Sequence, residues 1–127
     1  MPNPKLPRPT DGELAILRVL WQQGPSTVRA VQGTLGPATG YTTVLKFMQI
    51  MLEKGLLHRD ASQRTHVYTA AIPEGDTQRQ LVRDLLDRAF GGSTTKLVLQ
   101  ALSEKLASPA ELDEIKHLIV EMEKKQK

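Results

Sequence analysis

Apolar positions recur at helical spacing soon after the chain begins. In "DGELAILRVLWQQG", Leu14, Leu17 and Trp21 fall on one side, with Ile16 and Leu20 widening the stripe until Gly24 and Pro25 stop it. Thr10 or Asp11 is placed to cap this helix. A second, shorter helix is expected in "STVRAVQGTLG", with Val28, Val31 and Leu35 on one side, a hydroxyl cap at Ser26 or Thr27, and Gly36 and Pro37 as the stop. The run "GYTTVLKFMQIMLEKG" predicts a third helix over about 40–54, ended by Gly55. At about 100° per residue, Val44, Phe47, Met48 and Met51 point to a core side. Thr42, Lys46, Gln49 and Glu53 point the other way, with Thr43 and Leu45 flanking them.

After Gly55 the period shortens. Leu56 to Arg59 and His66 to Ala70 read as two strands around a polar tip at 60–65, and Pro73 closes the unit. Three helices followed by a hairpin predict a winged helix-turn-helix over 10–73, preceded by a proline-rich arm at 1–9 that is expected to be extended and poorly ordered. Residues 74–127 read as helical throughout. Leu81, Val82, Leu85, Leu86, Ala89 and Phe90 make a band that ends at Gly91 and Gly92. A short helix from Ser93 carries Leu97, Val98, Ala101 and Leu102. In "SPAEL", Ser108 sits at the cap, Pro109 at the first position and Glu111 at the third, ahead of a stripe of Leu112, Ile115, Ile119 and Met122.

So small a helical unit displays more apolar side chains than it can cover. A second copy of the chain is the expected cover, which makes 74–127 a dimerisation region and assigns to a homodimer interface Leu81, Leu85, Leu86, Phe90, Leu97, Val98, Leu102, Leu112, Ile115, Ile119 and Met122. The alternative is that this band packs back onto the N-terminal unit. The predicted fold class is mainly α with a small β-hairpin wing: an N-terminal winged helix-turn-helix and a C-terminal helical dimerisation region.

Composition narrows this picture. Phe, Trp and Tyr make up only 4% of the 127 residues, so the core is aliphatic, which suits helices. The absence of cysteine excludes disulfides, thiolate metal sites and a cysteine nucleophile, and fits a reducing compartment. The opening "MPNPKLPRPT" lacks the apolar stretch of a signal peptide and no later run approaches a membrane span, so a cytoplasmic protein without a membrane partner is expected. The formal charge of +3 is unevenly spread. Residues 1–72 hold eight Lys or Arg against four Asp or Glu, whereas 73–127 hold nine against ten. An anionic partner such as DNA therefore fits the front half.

That charge bias gives the polar side of the third helix a role. As the second helix of a helix-turn-helix it would lie in the major groove, its first residues leading. Thr42, Lys46 and Gln49 suit phosphate or base-edge contacts, and Thr43 and Leu45 could each lay an apolar group against a thymine methyl. On the hairpin tip, Arg59 and Arg64, with Gln63 and His66, could straddle the backbone or enter the minor groove. Ser26 and Thr27 at a helix start, and Tyr41, are further candidates for phosphate contact, and Lys5 and Arg8 on the arm are weaker ones. A plain solvated surface would use the same residue types, so it is position in the motif that carries the reading.

Catalysis has little to stand on. His58, His66 and His117 lack close metal-ligand spacing, and only His58 and His66 could meet across the hairpin. Asp11 and Glu13 are explained by capping and the helix dipole. "FGGS" joins two helices rather than following a strand as a phosphate loop does. No enzyme activity, metal or cofactor is expected.

The order and spacing of "TDGELAILRVLW", "GYTTVLKFMQIMLEKGLLHRD", "RTHVYTA" and "GGSTTKLVLQAL" resemble the penicillinase repressor family, which includes methicillin-resistance regulators and copper-responsive repressors. The resemblance runs over nearly the whole chain. It implies a dimeric repressor on a double-stranded, palindromic operator, with Thr42, Thr43 and Lys46 on the recognition helix, Arg64 on the wing and Leu97 to Leu102 in the dimerisation region. It further implies control of resistance genes, with a membrane sensor protease inducing cleavage in the helix after the paired glycines. Two departures stand out. The family's asparagine and arginine late in the recognition helix are Gln49 and Ile50 here, and the asparagine and phenylalanine of the cleavage point correspond to Gln100 and Ala101. The cysteine-rich tail of the copper-responsive branch is missing. The alternative to a repressor is a helical protein–protein adaptor that reuses the winged fold without specific DNA binding.

Overall fold

Side-chain caps open four of the helices. Thr10 accepts a hydrogen bond from the Glu13 N–H while the Glu13 carboxylate accepts from the Thr10 N–H, a capping box that starts α1 (Asp11–Gln23). Of the two hydroxyls at the next start, Thr27 is the cap of α2 (Val28–Leu35), accepting from the Ala30 N–H. Helix α3 (Tyr41–Lys54) follows Gly40 and ends at Gly55, whose φ of 85° is the left-handed value glycine tolerates. The hairpin pairs β1 (Leu57–Asp60) with β2 (Val67–Ala70) in antiparallel register, Leu57 opposite Ala70 and Asp60 opposite Val67. Three helices complete the chain: α4 (Glu74–Ala89), α5 (Thr94–Ser103) and α6 (Pro109–Lys125). Ser93 caps α5, and Ser108 forms a capping box with Glu111 at α6. This computed structural model describes residues 6–104 and 107–126.

Two compact units result, Met1–Leu81 and Val82–Lys127. The first has a continuous core in which Ile16, Leu17 and Leu20 of α1 meet Val31 of α2, Val44, Met48 and Met51 of α3, and Leu56, Tyr68 and Ile72 around the hairpin. A bridge between Ser26 and Tyr68 joins the hairpin to the entry of α2. The Trp21 indole donates to the Ile72 carbonyl at 3.0 Å, linking α1 to the end of the wing. The first turns of α4 belong to this unit, with Thr77 buried and the Gln80 amide donating to the Leu6 carbonyl at 3.0 Å.

In the second unit no side chain of α5 or α6 is buried. Leu85, Leu112, Ile119 and Met122 are 40–53% exposed, and Leu99 and Leu118 reach 60%. Leu86, Phe90, Leu97, Leu102 and Ile115 are half-buried, as is Leu81 in the first unit.

The structure corrects the sequence reading in several places, among them the second strand, which starts at Val67 rather than His66. Phe47 is not a core residue: it is 36% exposed, at the edge of the α3 core face, beside Gly12. On α1 the buried stripe is Ile16, Leu17, Val19 and Leu20, while Leu14 and Trp21 are only half-buried. The first strand starts at Leu57 rather than Leu56, because the Leu56 N–H is spent on the Met51 carbonyl in closing α3. Of the arm, Pro9 is buried and Leu6 packs against the core, so 6–9 are part of the unit rather than a loose extension. Lys5 lies outside the described residues.

Candidate nucleic-acid interface

Helix α3 is held at both ends, which gives its exposed face a defined direction. At its start, the Gln32 amide donates to the Thr39 carbonyl at 3.1 Å and the Thr39 N–H to the Gly36 carbonyl at 3.2 Å, so α2 itself shapes the turn that delivers α3. At its end, the Lys54 ammonium lies 2.7 Å from the Glu13 carboxylate of α1. Burial pushes the Glu13 carboxyl up, but hydrogen bonds from Lys54 and Thr10 and the Lys54 charge outweigh it and hold the pKa below its ordinary value.

The face so directed carries Thr42, Thr43, Lys46, Gln49 and Glu53, all exposed. Ile50, 40% exposed, stands on the Thr43 side of this face. Arg59 on β1 and Arg64 in the 61–66 tip are also exposed. The Asp60 carboxylate shapes the tip by accepting from the Ser62 N–H at 2.9 Å, and the Ser62 hydrogen bonds lower its pKa. Between the starts of α2 and α3 and the wing tip runs a cleft of about 460 Å³. Thr27, Arg29, Tyr41, Arg64 and His66 line it, with Val28, Leu45 and Tyr68 as apolar lining.

Of the site residues expected from sequence, Thr27, Tyr41 and Arg64 therefore meet in one cleft, Thr42, Thr43, Lys46 and Gln49 share the exposed face of α3, and Arg59 is exposed on β1. Ser26 does not join them. It is 7% exposed, its backbone is paired with Tyr68 on both sides and its hydroxyl donates to the Gly24 carbonyl, so the fold uses what a phosphate would need. Gln100 and Ala101 are exposed on α5, within the other compact unit. Arg29 escaped the sequence reading altogether. Its guanidinium carbon lies 5.1 Å from the centroid of the Tyr41 ring, a cation–π contact between α2 and α3. A signal was present: Arg29 is a cation in the first turn of a helix, where the dipole favours an anion.

A family model described as "Penicillinase repressor" matches residues 9–121. The chain belongs to the penicillinase repressor family. It is 25% identical over 125 residues to the penicillinase repressor of Bacillus licheniformis, covering 97% of this chain and 98% of that one. It is also similar to two solved structures of AbfR. The reduced protein bound to DNA matches with a TM-score of 0.48 and 21% identity over 87% of this chain and 75% of that one. The disulfide-formed protein matches with a TM-score of 0.44 and 20% identity over 92% of this chain and 69% of that one. As a member of the penicillinase repressor family the chain is a winged-helix, DNA-binding transcriptional regulator, not an enzyme. Among the described residues no helix is long and apolar enough to cross a membrane.

Proposed function

We propose that the chain is a homodimeric repressor that occupies an inverted-repeat operator and blocks polymerase sterically. One observation carries the reading: the solvent face of α3 is polar at its leading end and carries Lys46, Arg64 shares a cleft with Tyr41 at the start of that helix, and neither cation, nor the exposed Arg59 on β1, pairs with a carboxylate among the described residues. Cations left unpaired around a helix that follows a helix-turn entry favour a polyanion. Thr42, Thr43, Lys46 and Gln49 face base edges, while Thr27 at the start of α2 and Arg59 and Arg64 on the wing take backbone phosphates. Ile50, where the family has arginine, presents an aliphatic side chain that suits a thymine methyl and not a guanine edge.

The second copy supplies two things. It covers the apolar faces of α5 and α6, whose side chains all remain unburied in one chain. By two-fold symmetry it also places a second α3 about 34 Å away, one helical turn along the duplex. An adaptor would lead α3 with apolar or acidic side chains, whereas this helix leads with Thr42, Thr43 and Lys46.

The test is a salt-dependent binding titration of the full chain against a duplex selected from a randomised pool and against random sequence. The selected duplex should be an inverted repeat bound at least 1,000-fold more tightly than random sequence, roughly the lower limit for specific binders. Lys46→Ala should weaken the selected duplex most, and Arg64→Ala should weaken both and lower the salt slope by about one. Equal binding to both duplexes, with neither substitution having an effect, would overturn the reading.

A further inference from the structure

Arg29 is placed against the local rules of helix stability. It stands in the first turn of α2, where the partial positive charge of the helix end repels a cation. Helices α1, α4 and α6 carry acidic residues in their first turns, while α2 and α3, like α5, carry none. Among the described residues no carboxylate pairs with Arg29. What holds it is the Tyr41 ring, at 5.1 Å. A cation kept where the fold disfavours it, and braced by an aromatic from the next helix, is a local conflict of the kind that marks a binding position.

The surroundings indicate its ligand. Arg29 lines the cleft from α2 and Arg64 from the wing tip, and Thr27 and Thr65 line it as well. An open groove lined by two guanidinium groups and by hydroxyl donors suits an anionic strand passing through it. On the DNA-binding reading above, that strand is the sugar–phosphate backbone next to the major groove entered by α3.

We infer that Arg29 is a backbone-phosphate contact on the α2 side of the cleft and that Tyr41 is its positioning residue, acting through the face of its ring and not through its hydroxyl. This gives Tyr41 a role different from the direct phosphate contact expected from sequence. It also makes the α2 wall of the interface depend on a contact across the helix-turn-helix.

The test combines salt slope with melting temperature on the full-length protein. Arg29→Ala should weaken binding roughly ten-fold on selected and random duplexes alike and reduce the slope of log K against log salt by about 0.9, the value for one phosphate. Its melting temperature should stay level or rise, because a cation has left the helix start. Arg29→Lys should keep the slope and recover only part of the affinity, since an ammonium lacks the planar stacking of guanidinium. Tyr41→Phe should bind as the wild type does, and Tyr41→Leu a few-fold more weakly. Lys116→Ala, on α6, is the remote-charge control and should leave the slope unchanged. An unchanged slope and affinity in Arg29→Ala would overturn the inference, and a loss in Tyr41→Phe as large as in Arg29→Ala would overturn the role given to Tyr41. Because the slope is read on random duplex as well, a failure of operator specificity would sink the repressor reading and still leave the Arg29 inference decided.

Discussion

The two compact units use similar helices to opposite ends. In the N-terminal unit, Leu17, Met48, Met51 and Leu56 are sealed from solvent, and polar links such as Trp21 to Ile72 tie the elements into one body. In the C-terminal unit α5 and α6 are just as well capped, yet neither buries a single side chain. Good capping therefore does not make a core. It fixes where a helix starts, and the apolar face it presents still needs a partner. The N-terminal unit finds that partner within its own chain, and on the dimer reading the C-terminal unit finds it in a second copy.

The sharpest test of the difference is a truncation in each unit, read over a range of protein concentrations. Leu17→Ala opens a cavity at a fully buried position and should cost about 3 kcal/mol. That cost should be the same at every concentration, because the interactions lost are within one chain. Replacing Val98 and Ile119 together by Glu should do the reverse. The chain should sediment as a monomer at micromolar concentration, and operator affinity should fall by roughly 100-fold as bivalent engagement is lost. Dimeric sedimentation of the Val98, Ile119 double variant would remove these faces from the interface.

The same contrast explains what could be read from sequence. The capping box of α6 is legible because both partners sit three residues apart in the chain, whereas at α1 the sequence leaves Thr10 and Asp11 as alternatives and the fold selects Thr10. The polar face of α3 was legible because helical phase is a local property. Phe47 is not legible in the same way because its phase falls on the boundary between faces, and its ring lies against Gly12 of α1, a neighbour that helical phase does not reveal. Ser26 reads as a phosphate contact in sequence because its pairing with Tyr68 on the wing is invisible before the chain has folded. Arg29 and the Glu13–Lys54 pair have the same cause: each charge is explained by a residue on another helix.

That ion pair gives a smaller, pH-dependent handle on the N-terminal unit alone. Glu13→Gln keeps a side chain able to complete the capping box but loses the charge, and should cost about 1 kcal/mol at neutral pH, discounted because the Lys54 side chain is 35% exposed. The folded-state pKa of Glu13 is lowered, so its contribution is fully present above the ordinary value of 4.5 and is lost as pH falls through the lower, folded value. The gap in melting temperature between wild type and Glu13→Gln should therefore close progressively below about pH 4.5. A gap that stays constant down to pH 2 would mean that the carboxylate charge is not what is lost.

The smallest effects probe how far close packing extends to the edge of that unit. A Cβ at residue 12 would overlap the Phe47 ring, whereas one at Gly33 would meet nothing within 4 Å. Both glycines lie in helices, where alanine is intrinsically favoured by up to about 1 kcal/mol. Gly33→Ala should realise part of that and stabilise the protein by about 0.5 kcal/mol. Gly12→Ala should instead destabilise it by about 1 kcal/mol, because displacing the ring costs more than the helix gains. In a Phe47→Ala background the obstacle is gone, so the same Gly12→Ala change should become stabilising, and chemical denaturation of the four chains of that cycle measures the coupling directly. If Gly12→Ala has the same effect with and without the Phe47 ring, the α1–α3 edge is loosely packed and the contrast between the two units is confined to the centre of the first.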